Sequence, residues 1–292
     1  MQIALFGRMV PAEELKYVQR LVDKLVLKKC SILVFRPFFE ELNGKIDFHH
    51  EEHLFDGHEG IAGKADFVFS IGGDGTMLEA MLLVRDSGIP IMGINIGRLG
   101  FLSSASRDEI LPSVDSVLNG QFIIDSRTLI QLVRPGDLFG DLNYALNDLT
   151  INRKDFASLV VLHVYIDDLF LNTYWADGLI IATPTGSTAY SLSSGGPILM
   201  PGSQNFVITP IAPHNLTVRP FVIPDKSRIR IIVEGRADQF LVSLDSRSAV
   251  IHSDFELVIE KADFKINIVQ IKGKDFFATI REKLKWGLDL RN

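Results

Sequence analysis

Apolar and polar positions divide the chain into two regions of different periodicity. Up to residue 122, short apolar runs such as Gln2–Phe6, Ser31–Phe35, Phe67–Ile71 and Ile89–Ile94 alternate with segments whose apolar residues recur at helical spacing. Alternating strands and helices are typical of a parallel sheet covered by helices. We therefore predict a three-layer α/β domain with a parallel sheet over residues 1–122.

Beyond residue 122 the helical spacing is lost. Strand-like runs such as Phe122–Val133, Tyr144–Ile151 and Phe206–Ile211 follow one another, separated by turn signals such as Pro135-Gly136-Asp137. This spacing predicts an all-β C-terminal domain, a layered sheet or sandwich, over residues 123–269. Helical spacing returns at Phe276–Leu284, so we expect the tail, residues 270–292, to return to the first domain.

Composition limits the classes of function. The 292 residues are 47% hydrophobic and 23% charged, as in an ordinary globular protein, and the formal charge of −6 argues against nucleic-acid binding. The single cysteine, Cys30, excludes an internal disulfide framework and suits a reducing compartment. The segment Met1–Phe6 lacks the features of a signal peptide, and no apolar run is long enough to cross a bilayer. We expect a cytoplasmic protein without a membrane partner.

Residues 37–63 show little periodicity and contain four histidines, at positions 49, 50, 53 and 58. On a helix, His49 and His53 would share one face, as metal ligands can. The alternative is a charged loop, and it is favoured because no cysteine supports the set and Glu51 and Glu52 make the run one of mixed charge. We predict no metal ligands here.

The strand Phe67–Ile71 runs into Gly72-Gly73-Asp74-Gly75, and a helical pattern follows from Thr76. Glycines let backbone N–H groups approach an anion, and the N-terminus of the helix favours phosphate. A carboxylate, Asp74, inside such a loop indicates phosphoryl transfer. The alternative is a tight turn in which Asp74 caps the helix. We assign Gly72, Gly73 and Gly75 to nucleotide binding.

Three further segments have candidate binding groups. Phe101 follows a second glycine-bearing loop and could form the wall of a pocket, or the loop could be a routine turn. The pair Asn147-Asp148 interrupts an apolar strand, which indicates either a ligand or a satisfied turn or bulge. Asp177 leads a strand into Pro184–Pro197, which is rich in serine and glycine and contains Tyr190. We favour the interpretation that this segment binds a sugar hydroxyl and a stacked base over the alternative, a surface loop.

Together, Gly72–Thr76, Asn147-Asp148 and Asp177–Pro197 resemble the NAD kinase family, from about residue 66 to residue 250. The stretch Asp-Gly-Leu-Ile-Ile-Ala-Thr-Pro-Thr-Gly-Ser-Thr-Ala-Tyr-Ser is the specific part. The glycine-aspartate loop alone also resembles diacylglycerol, sphingosine and phosphofructo-kinases. The resemblance implies a phosphotransferase that uses ATP and a divalent metal, Mg²⁺, which arrives with the ATP, to phosphorylate the adenosine-ribose 2′-hydroxyl of NAD. It also implies a homo-oligomer, a dimer or tetramer.

The resemblance implies a role for each matching residue. Asp74 would be the catalytic acid-base residue, Asn147 and Asp148 would hold the adenosine, and Asp177 would bind the nicotinamide end. The adenosine pocket would be lined by Thr188, Ala189, Tyr190, Ser191, Leu192 and Ser193.

Two residues depart from the family pattern: Asp148 stands where Glu is usual, and Trp175 replaces a small or basic residue. The choice between NAD and NADH therefore stays open, as does the donor (ATP, another triphosphate or polyphosphate). The rival functions are a lipid or sugar kinase with the same glycine-aspartate loop, and a non-enzymatic NADP sensor.

Overall fold

The computed structural model describes residues 1–49, 53–97, 100–154, 159–235, 239–253, 255–273 and 275–286. The chain forms two compact units: Met1–Ser126 together with the chain from Ile266 onwards, and Arg127–Lys265. Among the described residues, none of the helices has both the length and the apolar character needed to span a bilayer.

The strands of the described residues are, in chain order, β1 (Gln2–Gly7), β2 (Ser31–Phe35), β3 (His53–Phe55), β4 (Phe67–Ile71), β5 (Ile91–Asn95), β6 (Ala105–Ser106), β7 (Phe122–Arg134), β8 (Tyr144–Ala145), β9 (Asp148–Arg153), β10 (Val160–Ile166), β11 (Leu169–Ala176), β12 (Gly178–Ala182), β13 (Asn205–Ile211), β14 (Phe221–Pro224), β15 (Ile229–Gly235), β16 (Gln239–Leu244), β17 (Arg247–His252) and β18 (Phe255–Ile271). The α-helices are α1 (Leu15–Leu27), α2 (Arg36–Leu42), α3 (His58–Ile61), α4 (Asp74–Val84), α5 (Ile110–Leu118), α6 (Tyr190–Ser193) and α7 (Phe276–Leu284). Single turns of 3₁₀-helix lie at Ala12–Glu14, Arg107–Glu109 and Gly186–Thr188.

The first unit is built on a parallel sheet of order β3-β2-β1-β4-β5, and Ile268 of β18 pairs in parallel with Ile91 of β5. Every residue of β4 and β5 is buried, as expected for the middle of a parallel sheet. The carboxyl ends of parallel strands lie at one edge, which is where ligands bind in open α/β sheets. The loop after β4 begins at this edge.

The second unit contains two antiparallel sheets. One has the order β14-β13-β12-β9-β16-β17, and in the other β11, β10, β15 and the start of β18 are neighbours. Leu149 and Leu179 of the first sheet share one core with Leu162 and Ile231 of the second. Side chains on facing strands therefore interdigitate as in a sandwich. The predicted fold class, an α/β unit plus an all-β unit, is confirmed.

The sequence-based prediction of a charged loop over residues 37–63 is wrong. The described part of this stretch contains most of α2, β3 and α3, which are short elements of three to seven residues. Such short elements span too few residues to show a period among so many polar side chains. His53 lies on a strand, so it shares no helix face with His49, whose Nε2 is 2.7 Å from Asp23 Oδ1. His50, Glu51 and Glu52 lie outside the described residues.

Candidate active site

The Asp74 loop, Gly72–Gly75, connects β4 to α4 in the first unit. Gly72 has a φ of +151°, and a Cβ there would collide with the Thr76 side chain. Beside Gly73 and Gly75, by contrast, a Cβ would meet no atom of the described residues within 4 Å. Among the described residues no side chain caps helix α4, and the first N–H groups of a helix have no partner within the helix itself. The loop thus places glycine backbone at the N-terminus of a helix, the arrangement that binds phosphate.

The Asp74 carboxylate is held by a second loop. Its Oδ2 accepts the Phe101 N–H at 2.8 Å, and its Oδ1 accepts the Leu102 N–H at 3.1 Å. A Cβ at Gly100 would overlap this carboxylate, so only glycine fits there. The alternative in which the Asp74 side chain caps its own helix is therefore wrong. Each carboxylate oxygen accepts more than one hydrogen bond, so both can still receive a donor from a ligand.

In the second unit the predicted polar pair lies at a break between two strands, because Leu146 and Asn147 separate β8 from β9. We call Leu146–Asp148 the Asn147 turn. Its three N–H groups all point to the carboxylate of Asp245: Oδ2 accepts from Leu146 at 2.9 Å, and Oδ1 accepts from Asn147 at 2.8 Å and from Asp148 at 3.3 Å. Asp245 lies in the hairpin turn between β16 and β17. No motif in the local sequence identifies Asp245 as a site residue.

Two carboxylates therefore lie close together at this turn. Burial, and then the charge of Asp245, raises the pKa of Asp148 to about 7. Burial also raises the pKa of Asp245, although its three N–H donors and Arg247 act in the opposite direction. The Arg247 guanidinium donates to the carbonyl oxygens of Leu142 and Tyr144. The site is thus able to hold or release a proton near neutral pH.

The segment after β12 approaches the other side of the Asn147 turn. The Thr183 N–H donates to the Asn147 carbonyl at 2.9 Å, and a Cβ at Gly186 would overlap that same carbonyl. The residues predicted to line the adenosine pocket differ in how exposed they are and in whether their polar groups already have partners. Tyr190 is 44% exposed, whereas Ser191 is fully buried with its hydroxyl 2.8 Å from that of Thr209. Ligand binding by Ser191 stays a prediction, and its hydroxyl already has an internal partner.

The other predicted residues of this segment lie around Tyr190. The Thr188 hydroxyl donates to the Thr185 carbonyl at 3.1 Å, Leu192 is half-buried and Ser193 is exposed. Ala189 is half-buried and has a backbone conformation outside the helical region, which separates the 3₁₀ turn from α6. This part of the candidate site is therefore a compact polar turn rather than a free loop.

Asp177 lies at the opposite end of β12 from the Asn147 turn. Because strands rise about 3.3 Å per residue, Asp177 and Thr183 are about 20 Å apart. The Asp177 carboxylate is 3.1 Å from the Arg153 guanidinium, and the Arg153 N–H donates to the Asp177 carbonyl at 3.0 Å. The structure thus gives Asp177 a cationic partner that the sequence analysis missed.

No group of three or more His, Cys, Asp or Glu side chains is placed to hold a metal ion within the described part of the chain. Phosphate-bound metals are held largely by the phosphates themselves and by water.

The chain matches two family models, the ATP-NAD kinase N-terminal domain over residues 3–122 and the ATP-NAD kinase C-terminal domain over residues 146–271. It is 45% identical to the NAD kinase of Cytophaga hutchinsonii, over 100% of both chains. The chain belongs to the NAD kinase family. It is also 41% identical to the NAD kinase of Bacteroides fragilis, again over 100% of both chains. The family resemblance inferred from the motifs is confirmed.

Two solved structures agree with this fold. The structure of yeast NADH kinase complexed with NADH matches with a TM-score of 0.86 and 26% identity, covering 100% of this chain and 89% of that one. An NAD kinase from Archaeoglobus fulgidus in complex with ATP matches with a TM-score of 0.73 and 24% identity, covering 98% and 99%. The second match supports the fold alone.

Proposed function

We propose that this protein transfers the γ-phosphoryl group of ATP to the 2′-hydroxyl of the adenosine ribose of NAD, giving NADP. The observation that carries the proposal is the Asp74 loop: an open, phosphate-friendly glycine turn with a carboxylate held in place by the Phe101 and Leu102 N–H groups. Membership of the NAD kinase family over the full chain supports the same reaction.

The chemistry requires a base and charge stabilisation. A ribose hydroxyl is a weak nucleophile, so a carboxylate within hydrogen-bond reach takes its proton as the phosphoryl group moves. Asp74 can play this role without leaving its two backbone donors, because each of its oxygens can accept a further hydrogen bond. The N–H groups at the start of α4 stabilise charge that develops on the phosphate.

The second unit supplies the groups proposed to bind the dinucleotide. Asn147 and Asp148 would hold the adenosine, with the exposed ring of Tyr190 available for stacking on a base. Asp177 would face the nicotinamide end, at the other end of β12. The separation of about 20 Å along a strand suits an extended ligand.

We also propose that Mg²⁺ is the metal and that it arrives with the ATP, because the described residues offer no cluster of metal ligands. When bound to the phosphates it would neutralise their charge. A cytoplasmic location fits the free thiol of Cys30.

A homo-oligomer, a dimer or tetramer, is proposed as well. Strand β11 is at the edge of its sheet and carries three exposed apolar side chains: Leu169, Phe170 and Trp175. Exposed apolar side chains on an edge strand are typical of protein interfaces. Light scattering measures the oligomeric state.

The deciding experiment is an assay of NADP or NADPH formation with NAD and with NADH, each supplied with ATP or with polyphosphate. We expect turnover with ATP and no phosphorylation of an NAD analogue that lacks the 2′-hydroxyl. Turnover only on a lipid or a free sugar would identify the rival kinase. Binding of NADP without any turnover would identify a sensor.

A further inference from the structure

The carboxylate of Asp245 receives all three N–H groups of the Asn147 turn, from residues 97 to 99 positions away in the chain. Asp245 has a φ of +52°, the left-handed conformation that a tight hairpin turn requires. The β16–β17 hairpin therefore presents its turn residue to another segment.

A second hairpin shows what an ordinary turn aspartate does. Asp167, between β10 and β11, has a φ of +50° and accepts one N–H, from Arg228 at 2.8 Å. It is exposed, and the backbone that it holds carries none of the predicted site residues. Asp245 differs in having three donors, in the burial of its carboxylate, and in the identity of the residues that it holds. Asp167 is thus a matched comparison.

We propose that Asp245 is a positioning residue for dinucleotide binding: its carboxylate fixes the backbone of the Asn147 turn, so that Asn147 and Asp148 are in place before the adenosine arrives. This inference rests on the proposed function. Fixing the turn in the free protein removes an ordering cost from the binding step. Three backbone donors on one carboxylate define both the position and the orientation of the turn, which a single bond would not.

The same contact adds to the effect of burial on the charge of Asp148. Asp245 from the β16–β17 turn faces Asp148 of β9, and Arg247 of β17 faces Asp245, with Tyr144 of β8 beside Arg247. The negative charge of Asp245 disfavours ionisation of Asp148. An ionised Asp148 accepts a ribose hydroxyl in a charge-assisted hydrogen bond, which is stronger than the bond to the protonated acid. NAD binding therefore strengthens as pH rises through the pKa of Asp148, which is about 7.

The test compares Asp245→Asn with Asp167→Asn. The amide at position 245 keeps one acceptor oxygen but turns an NH₂ group toward a backbone N–H. We expect the KM for NAD to rise about 10- to 100-fold, the effect of leaving one buried donor unpaired. The KM for ATP should stay at the wild-type value. In addition, the acid limb of the pH profile of kcat/KM for NAD should move to lower pH, because Asp245→Asn removes the charge that opposes ionisation of Asp148.

Asp167→Asn should leave both KM values and the position of the acid limb unchanged. A merely structural role for Asp245 would reduce the active fraction, and hence the apparent kcat, while leaving the KM for NAD and the acid limb in place. That result would overturn the proposal, as would an equal rise of the KM for NAD in Asp167→Asn. Wild-type protein that forms no NADP would instead refute the proposed function.

Hydrogen exchange on the wild-type protein provides a test that needs no variant and covers the case in which Asp245→Asn fails to fold. If Asp245 holds the turn in advance, the amides of Leu146 and Asn147 exchange slowly without ligand, and NAD adds little protection. Fast exchange that becomes slow only with NAD would overturn the proposal.

Discussion

The Asp74 loop and the Asn147 turn use the same device in opposite ways. In the first unit, the carboxylate proposed to act on substrate is itself fixed, by N–H groups of Phe101 and Leu102. In the second unit, the residues proposed to bind substrate contribute the N–H groups, and a separate carboxylate, Asp245, receives them. Asp74 lies in a sequence motif and can be found from it, whereas Asp245, which holds the Asn147 turn, lies in none. The substitutions below separate the acting groups from the supporting ones.

The largest effect is expected for Asp74→Asn. The amide keeps one acceptor oxygen but loses the basic site, so kcat should fall by roughly 10²–10⁴-fold, the usual contribution of positioned proton transfer. Binding of NAD should change little. Measurement of kcat at saturating NAD, with calorimetric NAD binding to the same variant, checks this. A kcat near that of the wild type would refute the role of Asp74 as base.

Asp148→Asn should change how stability depends on pH. The folded-state pKa of Asp148, about 7, lies above the ordinary value of 3.8, so the folded protein holds a proton that the unfolded chain releases. The wild-type free energy of unfolding should therefore fall as pH rises between these values, by about 1.4 kcal/mol per pH unit from this group. Replacing Asp148 by asparagine removes this contribution to the dependence of the free energy of unfolding on pH.

Urea unfolding across the same pH range measures the effect on the free energy of unfolding. Asp168→Asn, which removes an exposed carboxylate of the same unit, should keep the wild-type slope. Equal slopes in the wild type and Asp148→Asn would show that Asp148 ionises normally.

Gly100→Ala tests the support of Asp74 without changing Asp74. The added methyl group would overlap the carboxylate, and such overpacking costs about 1–3 kcal/mol. We expect a lower thermal midpoint and a reduced kcat, because the carboxylate must leave its two backbone donors. Gly57→Ala in the same unit, where a Cβ meets none of the atoms that the structure describes within 4 Å, is the control. Unchanged kcat in Gly100→Ala would show that Asp74 does not depend on this loop.

The smallest effect is expected for Arg153→Met, which removes the cationic partner of Asp177. A partly exposed ion pair contributes only about 0.2–1 kcal/mol, so changes of about 1.4- to 5-fold are expected. Because an unneutralised Asp177 would favour the cationic nicotinamide of NAD⁺, the ratio of the KM for NADH to that for NAD should rise. Arg134→Met, which breaks the Arg134–Glu256 pair at 3.2 Å, should leave the ratio unchanged. A fall in the ratio for Arg153→Met would contradict the placement of Asp177.

Much of the fold could be predicted, because many of its elements are either continuous apolar runs or segments with apolar residues at helical spacing. The bounds of Phe67–Ile71 and Phe276–Leu284 agree with the structure. The run Tyr144–Ile151 was predicted as one strand, but the structure breaks it at the polar pair. Short strands such as Phe221–Pro224 were missed because four residues with a proline at the end carry little alternation.

The candidate site could be predicted only where its residues are adjacent in the chain. Asp74 and the Asn147-Asp148 pair stand out as polar residues beside apolar strands. Asp245 and Arg153 do not, because a carboxylate in a hairpin turn and an arginine at a strand end are ordinary in their local context. Their partners become neighbours only through the pairing of β9 with β12 and β16. Local pattern contains no information about that pairing.

The first unit is formed by two separate stretches of the chain, and this affects how the protein folds during translation. Strand β5, which carries Ile91, is synthesised early, but its partner at Ile268 and the Val269 carbonyl that accepts the Ser104 hydroxyl come near the end. While the intervening residues are being made, this edge of the sheet has exposed backbone donors and acceptors, which are a template for wrong pairing. Completion of the first unit must therefore wait for nearly the whole chain, and the Arg127–Lys265 unit, which is continuous, is the one that can fold during translation.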